Sequence, residues 1–281
     1  MIPDPGAAAR RHATGAETAR ALLFTVLGEL ALPAGGTGWT SAFIDVLTRL
    51  GVEEKTTRQA LMRTAAADWL TPERLGRRTR WHLTAAGHRL LTEGAARIYG
   101  FPTRPTEWDG RWVLLLARVP ETDRRARHFL RTRLAWSGFG TPTPGVWISP
   151  HTDHLDEAKK VLAEAGLLTD SRIFVAEYQA GGDLATMAAQ AWDLTALDDS
   201  YRDFITEFSP TATTDPTDPT TRVIELVHAW RRFPWLDPAL PPPLLPTKWS
   251  GGQAAEVFAE RRSQWTDAAT EEWARLNRDE G

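Results

Sequence analysis

The chain has 281 residues, 42% of them apolar and 25% charged, a balance that excludes wholesale disorder and a protein built of membrane spans. It has no cysteine, which excludes disulfides, thiolate metal sites and cysteine nucleophiles together. The formal charge of −3 hides a gradient: residues 1–104 carry 14 Lys and Arg against 9 Asp and Glu (+5), residues 105–182 carry 10 of each, and residues 183–281 carry 9 against 17 (−8). A basic first third and an acidic last third place any contact with a polyanion at the N-terminal end, with the acidic end facing away from it. No apolar run reaches the ~20 residues of a transmembrane helix. Met1–His12 has Pro3, Asp4 and Pro5 where a secretory signal needs an apolar stretch, so a cytoplasmic location is expected.

In chain order, Thr18–Leu30 places apolar residues at 19, 22, 23, 26, 27 and 30, the period of an amphipathic helix. Pro33, Gly35 and Gly36 end it. Thr40 or Ser41 caps a second helix, Ala42–Leu50, which Gly51 closes. A third helix, Glu53–Asp68, has Ala60, Leu61, Ala65 and Trp69 on its apolar side. Trp69–Leu75 and Arg80–Leu83 read as strands flanking the basic tip Gly76-Arg77-Arg78-Thr79, and Thr84 starts another helix. Three helices and a basic hairpin, in this order, are the order of a winged helix-turn-helix, whose third helix enters the major groove. Lys55, Thr56, Thr57, Arg58, Gln59 and Arg63 are the candidate DNA contacts of that helix, because Arg and Gln match guanine and adenine edges while Lys and Thr suit phosphates or base edges. Arg77, Arg78 and Arg80 are the candidate contacts of the hairpin. The competing reading is a solvated helix face.

Phe101–Pro105 separates residues 1–104 from a central domain, 105–182. There Arg111–Val119, Asp123–Trp136, Gly138–Thr141, Val146–Ser149, Asp153–Ala165 and Arg172–Gln179 read as strand, helix, strand, strand, helix, strand. This βαββαβ order is ferredoxin-like, so the fold class expected for the chain is α+β. His151 and His154 have no third metal ligand spaced with them, and Asp109 stands without a carboxylate cluster, so no metal, cofactor or catalytic residue is assigned.

Residues 183–281 are expected as a helical domain: helices at Trp192–Phe208 and Arg222–Arg232, a polar loop at Thr211–Thr221, an ordered aromatic and proline-rich segment through Trp249, and a closing helix at Gln253–Arg275. Arg231 and Arg232, amid Trp230, Trp235 and Trp249, can bind an anionic group beside a flat one; alternatively one of them pairs with Asp237 and the tryptophans fill core. The candidate ligand-binding set is His228, Arg231, Arg232, Trp235 and Lys248.

The chain resembles the PaaX family of transcriptional regulators. The resemblance is carried by Arg58-x-Ala-Leu-x-Arg63, Gly76-Arg77-Arg78, Leu83-Thr84-x-x-Gly87, Arg97-Ile98-Tyr99, Trp108-Asp109-Gly110-x-Trp112, Leu134-x-Trp136-x-Gly138-Phe139-Gly140, Pro144–Pro150 and Leu226-Val227-His228-x-x-Arg231-Arg232-Phe233-Pro234. It implies a dimeric repressor bound to a palindromic operator in double-stranded DNA and released by an aryl-acetyl coenzyme A thioester or a related small aromatic effector. It also implies a ferredoxin-like domain that serves in dimerisation and a C-terminal domain for the effector. A metal-dependent nuclease or acyl-coenzyme A hydrolase, and an interaction scaffold that binds no DNA, are the alternatives. The tryptophans of the motifs (Trp108, Trp112, Trp136, Trp147, Trp235, Trp249) read first as core.

Overall fold

A computed structural model describes residues 15–101, 108–117, 119, 122–179, 181–209 and 218–278. The fold is α+β, with two antiparallel sheets. Its contacts define two compact units, one from Met1–Gly100, Phe204–Arg232 and Gln253–Gly281, the other from Phe101–Asp203 and Phe233–Gly252. The C-terminal third, expected as one helical domain, is therefore divided between both units.

In the first unit, α1 (Gly15–Val26) runs into a π-helical turn, Leu27–Ala31, and then come β1 (Thr37–Trp39), α2 (Thr40–Arg49) and α3 (Glu54–Ala66). The hairpin β2 (Leu70–Leu75) and β3 (Arg78–Leu83) follows, then α4 (Ala85–Tyr99). The sheet order is β1-β3-β2. Leu75 pairs with Arg78, so the loop is only Gly76-Arg77, tighter than the four residues expected, with Gly76 at a φ of +62°. Neither Thr40 nor Ser41 caps α2; Trp39 holds the cap position without a side-chain bond. The Thr40 hydroxyl instead donates to the Thr79 carbonyl (3.0 Å) and accepts from Trp81 Nε1 (2.9 Å), tying α2 to the hairpin.

In the second unit, β4 (Arg111–Leu116), α5 (Arg124–Trp136), β5 (Gly140–Thr143), β6 (Val146–Ser149), α6 (Leu155–Glu164) and β7 (Arg172–Glu177) alternate as expected. Every adjacent strand pair in the order β5-β6-β4-β7 is antiparallel. Asp123 caps α5 by accepting from Ala126 N (2.9 Å). β4 reads as an unbroken apolar run because both its faces are covered. Val113 and Leu115 meet Leu130, Leu134 and Val161 of α5 and α6, while Trp112 packs with Ala188, Leu240 and Leu244 on the other side.

Sequence periodicity misses α7 (Leu184–Ala191), and α8 (Leu194–Phe208) begins two residues later than expected. α9 (Pro219–Trp230) starts inside the expected polar loop, with Pro219 in its first turn and Asp218 as its cap. The rest of that loop lies outside the described residues. A short α10 (Phe233–Leu236) and the long α11 (Gly251–Leu276) complete the chain. Trp112 and Trp147 are core as expected, whereas Trp136 and Trp235 meet edge-to-face with 52% and 48% of their surface exposed.

The motif Leu83-Thr84-x-x-Gly87 has a direct physical reading. The Thr84 hydroxyl accepts from Gly87 N (3.0 Å) to cap α4, and a Cβ on Gly87 would sit 2.2 Å from the Trp69 carbonyl oxygen. Gly87→Ala therefore destabilises the protein by about 1–3 kcal/mol in urea unfolding. Gly94→Ala, on the same helix in open space, is neutral or stabilising by up to ~1 kcal/mol.

Candidate nucleic-acid interface

Burial sorts the faces of α3. Thr57, Ala60, Leu61 and Thr64 are buried, at four successive positions of one helical face. This corrects the expectation for Thr57, whose hydroxyl is sealed in the core and cannot reach a base. Thr64 settles inside by returning its hydroxyl to the Ala60 carbonyl (2.8 Å). Ala65 and Trp69, expected in the core, are half-buried. The opposite face exposes Lys55, Arg58, Gln59 and Met62 at i, i+3, i+4 and i+7. Arg63 is exposed on one flank and Thr56 half-buried beside it. Met62, 61% exposed, is the residue that sequence reasoning missed, because an apolar side chain on an amphipathic helix is ordinarily assigned inward.

Arg58 donates through Nε and Nη2 to Glu54 Oε1 (2.9 and 2.7 Å). This exposed i,i+4 pair contributes only about 0.3–0.5 kcal/mol, so a phosphate or base edge can replace the carboxylate. Arg77 and Arg78 are exposed, and Arg80 is half-buried. The Arg78 guanidinium lies 4.0 Å and that of Arg80 5.5 Å from the Trp39 ring centre, and Arg80 also donates to the Thr37 hydroxyl (3.4 Å). Between helix and hairpin lies an open cleft of about 630 Å³, lined among others by Trp39, Ser41, Arg49, Arg58, Arg77 and Arg78. Arg49 is already matched there by Asp45, Asp218 and Glu272. The cleft brings Arg58, Arg77 and Arg78 together from positions about twenty apart in sequence.

Of the expected ligand-binding set, His228 and Arg231 converge on Thr25 of α1. Arg231 Nη1 donates to the Ala21 carbonyl (2.9 Å) and the Thr25 hydroxyl (3.3 Å), and His228 Nδ1 lies 3.3 Å from the same hydroxyl. No carboxylate pairs with Arg231 among the described residues, and burial pulls its pKa down. Arg232 is exposed. Trp235 and Lys248, both exposed, belong to the other compact unit. In that unit, His151 Nε2 donates to the Pro238 carbonyl (3.1 Å), a backbone bond that takes up this ring nitrogen. No group of three His, Asp or Glu that could hold a metal occurs among the described residues.

Three family descriptions match successive parts of the chain: "PaaX-like protein" over residues 18–87, "PaaX protein central Cas2-like domain" over 105–188 and "PaaX-like protein C-terminal domain" over 192–275. The transcriptional repressor PaaX of Escherichia coli strain K12 is 30% identical over 247 residues, covering 84% of this chain and 77% of that protein. The chain belongs to the PaaX family. Among solved structures, the protein Rv0674 from Mycobacterium tuberculosis superposes with a TM-score of 0.63 at 26% identity, covering 89% of this chain and 98% of that one.

The His228-x-x-Arg231 motif of this PaaX family member gives a pH signature. Burial first, then the charges of Arg231 and Arg232, push the His228 pKa from an ordinary 6.5 down to about 4. Between those values the unfolded chain takes up a proton that the native state refuses, so stability falls as the pH drops from 6.5 to about 4. In His228→Gln the loss across that window is smaller than in wild type, as thermal unfolding at a series of pH values measures.

Proposed function

We propose that this protein is a DNA-binding transcriptional repressor, with α2 and α3 as the helix-turn-helix and the β2–β3 hairpin as its wing. One observation carries the reading. α3 turns Lys55, Arg58, Gln59 and Met62 outward on one face, beside an arginine-tipped hairpin fixed to α2 through Thr40. In the major groove Arg58 and Gln59 would read guanine and adenine, and the Met62 thioether side chain would contact a thymine methyl. Thr56, Lys55 and Arg63 would hold the register, and Arg77, Arg78 and Arg80 would meet phosphates or the minor groove. The name of the Escherichia coli relative and the family match support repression. A central ferredoxin-like domain as the dimerisation element, a palindromic operator and a cytoplasmic location belong to the same proposal.

The expected test is a binding selection from random duplexes, followed by titration at several salt concentrations. Wild type recovers a defined sequence, and its affinity falls steeply with salt. Arg58→Ala loses about 1–3 kcal/mol of discrimination, whereas Arg77→Ala weakens all duplexes alike. Recovery of no sequence rules the reading out.

The ligand side of the proposal is an anionic aromatic effector, of the acyl-coenzyme A thioester class, engaging His228, Arg231 and Arg232. The observation favouring it is the buried guanidinium of Arg231, which meets a carbonyl and a hydroxyl where a carboxylate would neutralise it. Phenylacetyl-coenzyme A at a hundredfold above its Kd would raise native stability by about 2.7 kcal/mol, and Arg231→Met would abolish the shift in a thermal melt.

A further inference from the structure

Residues 105–182 are neutral as a whole, yet five of their ten basic residues, Arg124, Arg125, Arg127, Arg131 and Arg133, lie on α5. Arg124, Arg127, His128 and Arg131 follow i, i+3, i+4 and i+7, and all four are exposed. They form one exposed stripe, with Leu130 and Leu134 buried against the sheet on the adjoining side of the helix. Arg125 is exposed on the flank, and Arg133 is paired with Glu164 (3.3 Å). The neighbouring α6 carries Asp156, Glu157, Lys159 and Lys160, with Lys159 closing on Asp156 (2.9 Å). Among the described residues, Arg124, Arg125 and Arg131 have no carboxylate partner.

This arrangement works against the helix that carries it. Arg124 and Arg125 occupy the first turn, where the helix dipole is positive and carboxylates are favoured. Like charges three and four residues apart repel. Local choices that oppose the fold in this way mark positions retained for a contact outside it.

We propose that the α5 stripe is a second contact with duplex DNA, gripping backbone phosphates outside the bases read by α3; it rests on the DNA-binding reading given above. Arg124 to Arg131 spans about 10 Å along the helix, the axial rise of about three phosphates on one strand. The guanidinium fork suits phosphate oxygens. A membrane surface fits less well, since the apolar side of α5 is locked in the core and has nothing to insert. The stripe is convex, unlike a pocket for a small anion.

The experiment compares the selected site alone with the same site extended by about two helical turns on each side. Wild type binds the extended duplex about tenfold or more tightly than the short one. In Arg124→Ala/Arg125→Ala/Arg131→Ala that gain disappears, and the slope of log affinity against log salt falls by roughly 2–3, at ~0.9 per phosphate. Unchanged affinity for the short site shows that the variant is folded, and the corresponding triple lysine variant restores most of the gain. A wild-type slope and gain in the alanine variant overturn the proposal, as does a wild type that reads its site through Arg58 but gains nothing from the extension. If the alanine variant instead loses only adhesion to phosphatidylserine vesicles, the partner is a membrane and the proposal fails. A wild type that selects no duplex at all removes the DNA-binding reading itself.

Discussion

The proposed N-terminal reader hangs on a ring seated over a missing side chain. Trp273 of α11 lies where Gly38 has no Cβ; one placed there would be 2.7 Å from the ring. Phe43 closes the notch edge-to-face (5.1 Å), and Asn277 accepts from Trp39 N at 2.7 Å. Burying an indole of this size contributes on the order of 2–3 kcal/mol from its area, before packing terms. The consequence propagates along β1: Trp39, fixed at its backbone, is the ring on which Arg78 and Arg80 rest. The position of the hairpin arginines therefore derives from a tryptophan almost two hundred residues away in sequence.

The same unit divides its arginines into structural and available ones. Arg49 is surrounded by Asp45, Asp218 and Glu272, and Arg275 with Arg49 holds the Glu272 carboxyl down at a pKa of about 2. A guanidinium shared by three carboxylates is committed to joining α2, α9 and α11. Arg58 has one exposed carboxylate one turn away, a contact that water and a phosphate oxygen compete for on nearly equal terms. The −8 of residues 183–281 suggests an end held away from DNA; part of that charge instead neutralises Arg49 inside the cleft of the proposed reader.

How much of this is legible in sequence follows the range of the forces. Elements set by local pattern are readable: the periodic helices, the presence (though not the two-residue loop) of the β2–β3 hairpin, and the alternation from β4 to β7. Misreadings arose where tertiary contact overrides residue type. Thr57 and Thr64 are polar yet buried, because the face they share with Ala60 and Leu61 packs inward. Met62 is apolar yet exposed on the other side of the same helix. α7 escaped because LATMAAQA, short and small in its side chains, shows no polar stripe, and it is stabilised by packing over Trp112 and Ile148. The sharing of the C-terminal third between two units, and the cleft that gathers Arg58 with Arg77 and Arg78, depend on pairings between distant segments that spacing cannot encode.

α1 lies between the two candidate sites of the first unit and touches both. One side of it packs on α3, whose outer face is the proposed reader; another receives Arg231 and His228 at Ala21 and Thr25. Its C-terminal end leaves the α-helical ladder for the π turn Leu27–Ala31, which carries buried Glu29. Burial raises the Glu29 pKa, and Arg262, itself lying over Tyr99 at 4.2 Å, opposes that shift through an ion pair of 3.2 Å. Tyr99 in turn stacks on Phe258 and Phe258 on Trp230, the last residue of α9. An anion that drew Arg231 away from Ala21 would loosen α1 on the side facing α9, while this aromatic column kept α9 in place. The strain would then fall on α1, which packs on α3, and on its π turn, which packs on α4 and has the weaker hydrogen-bond ladder.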